Sequence, residues 1–247
     1  MRLRPLYKVT LLETARHVGA RQALEKLLLR LLRVRPVLLM TLSIDGENPP
    51  FSGPGYDTSN IRSVGADDEA LFAAAGFGGM LQGKLAQGPG WIAVGESGLQ
   101  AWYFLAREES RIANWLIARV AGRSMIWAAG IWVHRDSRGS DLAKRIRAPV
   151  LRWSRVQGYR EIVTWVDQTN HSSRRAMQKA GYREIGRVVF LRLFGFALVH
   201  YGRRWRLGRW SAAQPLVIDL DELREDASMD VALGAVTARK APLLIKR

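Results

Sequence analysis

Apolar positions along the chain follow two periods, and the switches between them outline its elements. Leu24, Leu27, Leu28, Leu31 and Leu32 recur at helical spacing, while Arg21, Lys26, Arg30 and Arg33 fall largely elsewhere around the axis. This spacing predicts a basic amphipathic helix over about residues 13–33. Its leucine face is expected to pack on the core or, as the alternative, to lie on a membrane surface. Pro36 is expected to end this helix, and Val37–Ile44 reads as a strand closed by the turn signal Asp45-Gly46. Residues 46–66 are rich in Gly, Pro, Ser and Asn and read as a loop. Asp67-Asp68-Glu69 suits a helix N-terminus leading into Ala70–Ala75. Trp91–Val94 and Leu99–Leu105, separated by Gly95-Glu96-Ser97-Gly98, predict a β-hairpin. Glu108–Val120 has helical character, and Met125–His134 reads as a further strand.

The second half alternates element types. A helix is expected after Arg138-Gly139, a strand at Glu161–Val166, a helix over about Asn170–Ala180 and a long strand from Gly186. Such alternation marks an α/β (α+β) sheet with covering helices. Pro149 falls within the expected helix Leu142–Val156, where an interior proline costs about 3 kcal/mol unless the helix bends. From Ser211 the chain turns acidic (Asp219, Asp221, Glu222, Glu225, Asp226) and then basic again, as an appended element or tail.

Composition narrows the class. A chain of 247 residues with 48% hydrophobic and 24% charged residues has ordinary globular proportions, which excludes a disordered chain. The apolar runs fall well short of the ~20 residues that a membrane-spanning helix needs. Lys8 and Glu13 interrupt the start, so no secretory leader is expected. The absence of cysteine excludes a disulfide framework, a thiol nucleophile and thiolate metal sites; no metal is expected, and a cytoplasmic location, with the inner membrane surface as the variant, fits best. A net charge of +16 favours anionic partners such as phosphorylated cofactors, anionic lipid or an acidic carrier protein. The Arg- and Trp-rich run Gly202–Trp210 suits a lipid headgroup region or a phosphorylated acceptor, or is simply a solvated edge strand; nucleic acid is not the expected partner.

Candidate chemistry concentrates in Ile131–Ala143. A strand ends near His134, a polar turn follows, and a helix starts about Ser140. This order aims unpaired backbone N–H groups and a helix dipole at one spot, which suits phosphate. Gly139 allows close approach, and Arg138 and Lys144 add positive charge. Further on, Asn170 is a good N-cap, Gly181 suits a helix exit in the left-handed conformation, and Tyr182 packs back on the last turn.

In this order and spacing the two segments resemble the GNAT acetyltransferases. Val133-His134, Arg138-Gly139 and Ala143 fit the first part of that family's pattern, and Asn170, Ser173, Gly181 and Tyr182 the second. The resemblance implies a GNAT fold: a central mixed, twisted sheet splayed at the cofactor site, with helices on both faces. It divides the chain into a helix-and-strand extension (1–60), an acyltransferase domain (61–210) and a C-terminal segment (211–247). It further implies acetyl-CoA or another acyl-CoA as donor. The pantetheine would pair with the backbone of Ile131 and Val133, and the pyrophosphate with the amides of Arg138, Gly139, Ser140, Asp141, Leu142, Ala143 and Lys144. Asn170 and Ser173 would approach the thioester end. An amine of a small-molecule or cell-envelope acceptor would attack the thioester directly.

Two departures bear on the chemistry. Asp141 stands where the family has its middle glycine and is expected to turn outward and cap the helix start. Met177 replaces the family's proton-donating tyrosine, and His134 is a weak candidate base whose structural role is the simpler reading. The alternatives are a long-chain N-acyltransferase fed by acyl carrier protein, and a non-catalytic GNAT-fold protein that binds an anionic surface.

Overall fold

The computed structural model describes residues 34–44, 57–120, 124–193, 195–209 and 211–220. The expected helix over residues 13–33, the turn at Asp45-Gly46, Trp210 and the chain after Leu220 lie outside them.

Twelve strands are described: β1 (Val34–Ser43), β2 (Ile61–Ser63), β3 (Gly90–Gly95), β4 (Gly98–Ala106), β5 (Glu109–Ala113), β6 (Leu116–Arg119), β7 (Met125–Val133), β8 (Glu161–Asp167), β9 (Arg183–Leu193), β10 (Phe196–Tyr201), β11 (Arg204–Arg209) and β12 (Leu216–Asp219). The α-helices are α1 (Glu69–Ala74), α2 (Leu81–Leu85), α3 (Leu142–Arg145), α4 (Arg147–Val156) and α5 (His171–Lys179). A nine-stranded sheet runs in the order β11-β10-β9-β1-β8-β7-β4-β3-β2, and β12-β6-β5 form a small second sheet.

The strand expected within the N-terminal extension is an interior strand of the large sheet. β1 lies antiparallel between β8 (Leu39↔Trp165) and β9 (Leu39↔Gly186). Its apolar run Val37–Leu42, broken only by Thr41, whose hydroxyl donates to Glu161 at 2.8 Å, has to be covered on both faces, and only an interior strand provides that. Leu38, Met40 and Leu42 face α3 and α4 with Ile126, Ile146, Val150 and Ile162. Val37 and Leu39 face the small sheet with Leu116, Trp127 and Val163. Helices α1 and α2 cover the end of the sheet nearest β4, packing Phe72 and Leu81 on Ile92, Trp102 and Phe104.

Two helical expectations need correction. Glu108–Val120 is not a helix but the hairpin β5–β6: Ser110 and Ile112 are buried between exposed Glu109 and Arg111, a period of two that requires a strand. The helix expected over Leu142–Val156 breaks at Ile146 into α3 and α4. Pro149 therefore lies in the first turn of α4, where its missing N–H has no intrahelical partner to lose. The strand expected from Gly186 begins earlier, at Arg183, and a bulge between Leu39 and Met40 accommodates its register with β1.

Candidate active site

β7 and β8 run parallel and pair only at Met125↔Glu161, Ile126↔Ile162 and Trp127↔Val163. Beyond that point β7 continues to Val133 against β4 alone, and β8 continues to Asp167 against β1 alone. The sheet therefore opens into a split. Burial follows it: Met125–Ala128 are buried, while Ala129–Val133 are only half-buried. The cause lies on the β4 side. Phe104 pairs with Gly130 and Leu105 with Ala128, so Ala129 is an extra residue, a bulge that bends β7 away. Gly130 holds φ +141°, and a Cβ there would meet the Trp102 ring at 3.0 Å, so the position demands glycine.

The two halves of the sequence pattern meet at the carboxyl ends of these parallel strands. After β7 the chain makes a turn of 3₁₀ helix at Arg135–Ser137, and Gly139 takes φ +83° with open space where a Cβ would stand. Ser140 Oγ donates to the Ser137 carbonyl (2.6 Å) and accepts from Leu142 N (3.3 Å). The amides of Gly139, Ser140 and Asp141 donate to no group of the described residues. Asp141 turns outward as expected, yet it makes no capping bond; its carboxylate accepts from Lys144 Nζ at 2.6 Å. Arg138 Nε folds back onto the Val133 carbonyl at 3.4 Å.

At the end of β8, Asn170 caps α5: its Oδ1 accepts from Ser173 N (3.2 Å) and Ser172 Oγ (2.9 Å). Gly181 (φ +84°) closes the helix, its N–H donating to the Gln178 carbonyl and that of Tyr182 to the Met177 carbonyl. Met177 packs toward the core, with its sulfur 4.0 Å from Arg147 Nη2. Nearby, the hydroxyls of Tyr103 and Tyr182 share a hydrogen bond of 3.2 Å, and burial pushes both phenols above their ordinary range. His134 lies at the mouth of the split. Its Nδ1 accepts from Asp136 N (3.4 Å) and faces the Asp136 carboxylate (3.6 Å), which occupies it as a cap of the turn.

Lys84 is a residue that sequence reasoning missed. Its Nζ donates to the carbonyl of Ala129, the bulge residue, at 2.6 Å. Burial holds its pKa below the ordinary lysine range. Phe77, Trp102 and Trp132 stand on the same face in edge-to-face contact, with Phe77 4.9 Å from Trp132 and 5.7 Å from Trp102. A lysine in Leu81-Gln82-Gly83-Lys84-Leu85 looks like any solvated helix residue, so no local signal points to it. Among the described residues no cluster of His, Asp or Glu is suited to a metal ion.

The sequence profile of the acetyltransferase (GNAT) family matches residues 90–182. No curated protein matches the chain. Among solved structures, it is similar to a GNAT-family protein from Novosphingobium aromaticivorans (18% identity, 73% of this chain and 67% of that one, TM-score 0.49). A GCN5-related N-acetyltransferase from Sphaerobacter thermophilus shares 17% identity over 82% of this chain and 59% of that one, with TM-score 0.46. An aminoglycoside N-acetyltransferase in complex with CoA shares 22% identity over 54% of this chain and 98% of that one, with TM-score 0.40. The profile match runs from β3 to the exit of α5 and takes in the bulge, the split and the turn; residues 90–182 of this chain are a domain of the acetyltransferase (GNAT) family.

Proposed function

We propose that the protein transfers an acetyl or longer acyl group from coenzyme A to an amine of a small-molecule or cell-envelope acceptor. One observation carries this reading: the β7–β8 ladder stops at Trp127↔Val163, while both strands continue toward a turn with free amides. An opened strand edge recognises an extended, amide-bearing ligand by main-chain hydrogen bonds, and clustered N–H groups recognise phosphate. The pantetheine of coenzyme A has the first chemistry and its pyrophosphate the second, so the residues present fit that donor.

In this reading Ile131 and Val133 hold the pantetheine amides, and the free amides of Gly139, Ser140 and Asp141 hold the pyrophosphate; those of Arg138, Leu142 and Lys144, also expected there, are bonded to Arg135, Ser140 and Asp141. Asp141 does not oppose it, because its charge is turned to Lys144. Asn170 and Ser173 fix the start of α5 beside the split. The bound donor supplies an acyl thioester open to direct attack by an amine. Half-buried backbone at the inner end of the split excludes much of the water and orients that reaction. Met177 donates no proton, and the raised phenols of Tyr103 and Tyr182 are poor acids near neutral pH.

Calorimetric titration with acetyl-CoA tests the reading. Gly139→Glu places a carboxylate in the cradle, whereas Gly139→Asn keeps a residue that tolerates the left-handed conformation. The wild type and Gly139→Asn are expected to bind, and Gly139→Glu to lose at least roughly tenfold in affinity, about 1.4 kcal/mol. Absence of binding by folded wild type refutes coenzyme A as donor and turns attention to an acyl carrier protein.

A further inference from the structure

An ammonium removed from water normally requires a carboxylate partner. Lys84 has none within ion-pair distance among the described residues. Acidic groups lie on the described elements around it, but none pairs with it: in the 3₁₀ turn Ala66–Asp68, which packs on α2, Asp67 is exposed and Asp68 pairs with Arg62 at 2.6 Å. β3, β4 and β7 carry no acidic or basic side chain, and Tyr103 of β4 points to the opposite face, toward α4. On α1, the Glu69 carboxylate accepts from Gly79 N (2.6 Å) in the α1–α2 connection.

What Lys84 touches is the bulge carbonyl of Ala129, just past Trp127, where the β7–β8 ladder ends. It reaches that point from the face bearing Phe77, Trp102 and Trp132, opposite the face that α3 and α4 cover. A donor lying along Ile131 and Val133 with its pyrophosphate at the turn has its thioester pointing toward this inner end. An acceptor would then approach from the α2 face.

Resting on the acyl-transfer reading above, we propose that Lys84 is the proton acceptor for the attacking amine. A neutral lysine amine has two N–H donors and one lone pair. One N–H is held by the Ala129 carbonyl, which leaves the lone pair for the incoming amine. As the acceptor nitrogen forms its bond to the acyl carbon, the C–S bond breaks and its electron pair leaves on sulfur. Lys84 takes the proton shed by the nitrogen and returns it, through water, to the sulfur. The products are an amide and a free thiol, with Lys84 neutral again. The lowered basicity that burial imposes suits this cycle, since the neutral form is more available near physiological pH.

The test uses the full chain and a reagent that reads the neutral amine, deuterated acetic anhydride at trace level, with site-resolved mass spectrometry across pH. Lys84 labelling is expected to rise at lower pH than that of exposed Lys179. At acetyl-CoA about ten times its Kd, Lys84 should still be labelled, because the acceptor has to reach its lone pair beside the bound donor. Lys84→Arg keeps a cation and a donor to Ala129 and is expected to bind acetyl-CoA as the wild type does in calorimetry. Labelling of Lys84 that titrates with Lys179, or that bound acetyl-CoA abolishes, overturns the proposal and leaves the donor site standing. Loss of binding in Lys84→Arg makes the residue a strut and overturns it too. Absence of acetyl-CoA binding by the wild type refutes the donor reading itself.

Discussion

Replacing Gly130 by alanine asks how firmly the bulge at the inner end of the split is fixed. At φ +141° an L-residue is strained by about 1–3 kcal/mol. The new methyl would also stand 3.0 and 3.2 Å from two Trp102 ring carbons. That ring has little room to yield: it is 8% exposed and wedged against Phe77 (5.7 Å) and Phe104 (5.6 Å). Overpacking of this kind adds about 1–3 kcal/mol. The sum, roughly 2–6 kcal/mol, is a large share of the 5–15 kcal/mol typical of a folded domain. Gly98→Ala serves as the control, because Gly98 also has positive φ (+101°) but open space around its would-be Cβ. Urea unfolding followed by circular dichroism should show the larger loss for Gly130→Ala, and its Tm should fall by at least about 4 °C. Wild-type stability in Gly130→Ala would refute the strain argument. Equal losses in both variants would show that Trp102 does not brace the bulge.

Two further outcomes follow from local geometry. Asp68 is nearly buried and accepts from Arg62 Nη1 (2.9 Å), Arg62 Nη2 (2.6 Å) and Gly65 N (2.9 Å); Asp68→Asn should cost about 1–3 kcal/mol. The hydrogen bonds from Arg62 hold its carboxyl below the ordinary 3.8, so this contribution is present above that pH and is lost as pH falls below it toward the folded value. The stability gap between wild type and variant, followed by denaturation across pH, should be constant above about pH 5 and shrink below about pH 4. Pro149→Ala should change stability by less than about 1 kcal/mol, because the residue lies in the first turn of α4; a gain near 3 kcal/mol in thermal unfolding would mean that the proline is strained after all.

Local chemistry made much of the domain legible in the sequence. The apolar run Leu99–Leu105, the Asn170 cap, the Gly181-Tyr182 exit and the Gly139 turn are determined by side chains and φ preferences within a few residues, and each occurs where expected. The sequence pattern around Arg138-Gly139 and Asn170 also marks the two segments that follow β7 and β8. Which strand lies beside which was not legible. Val37–Leu42 announces a strand buried on both faces, but only the folded sheet places it between β8 and β9. Ala128–Val133 reads as strand throughout, and nothing in it says that pairing with β8 stops at Trp127, because the bulge at Ala129 shows only in the register with β4. Lys84 was invisible for the same reason. Its identity as a lysine is local, but its depth and its contact with Ala129 arise from elements distant in the chain that only tertiary packing brings together.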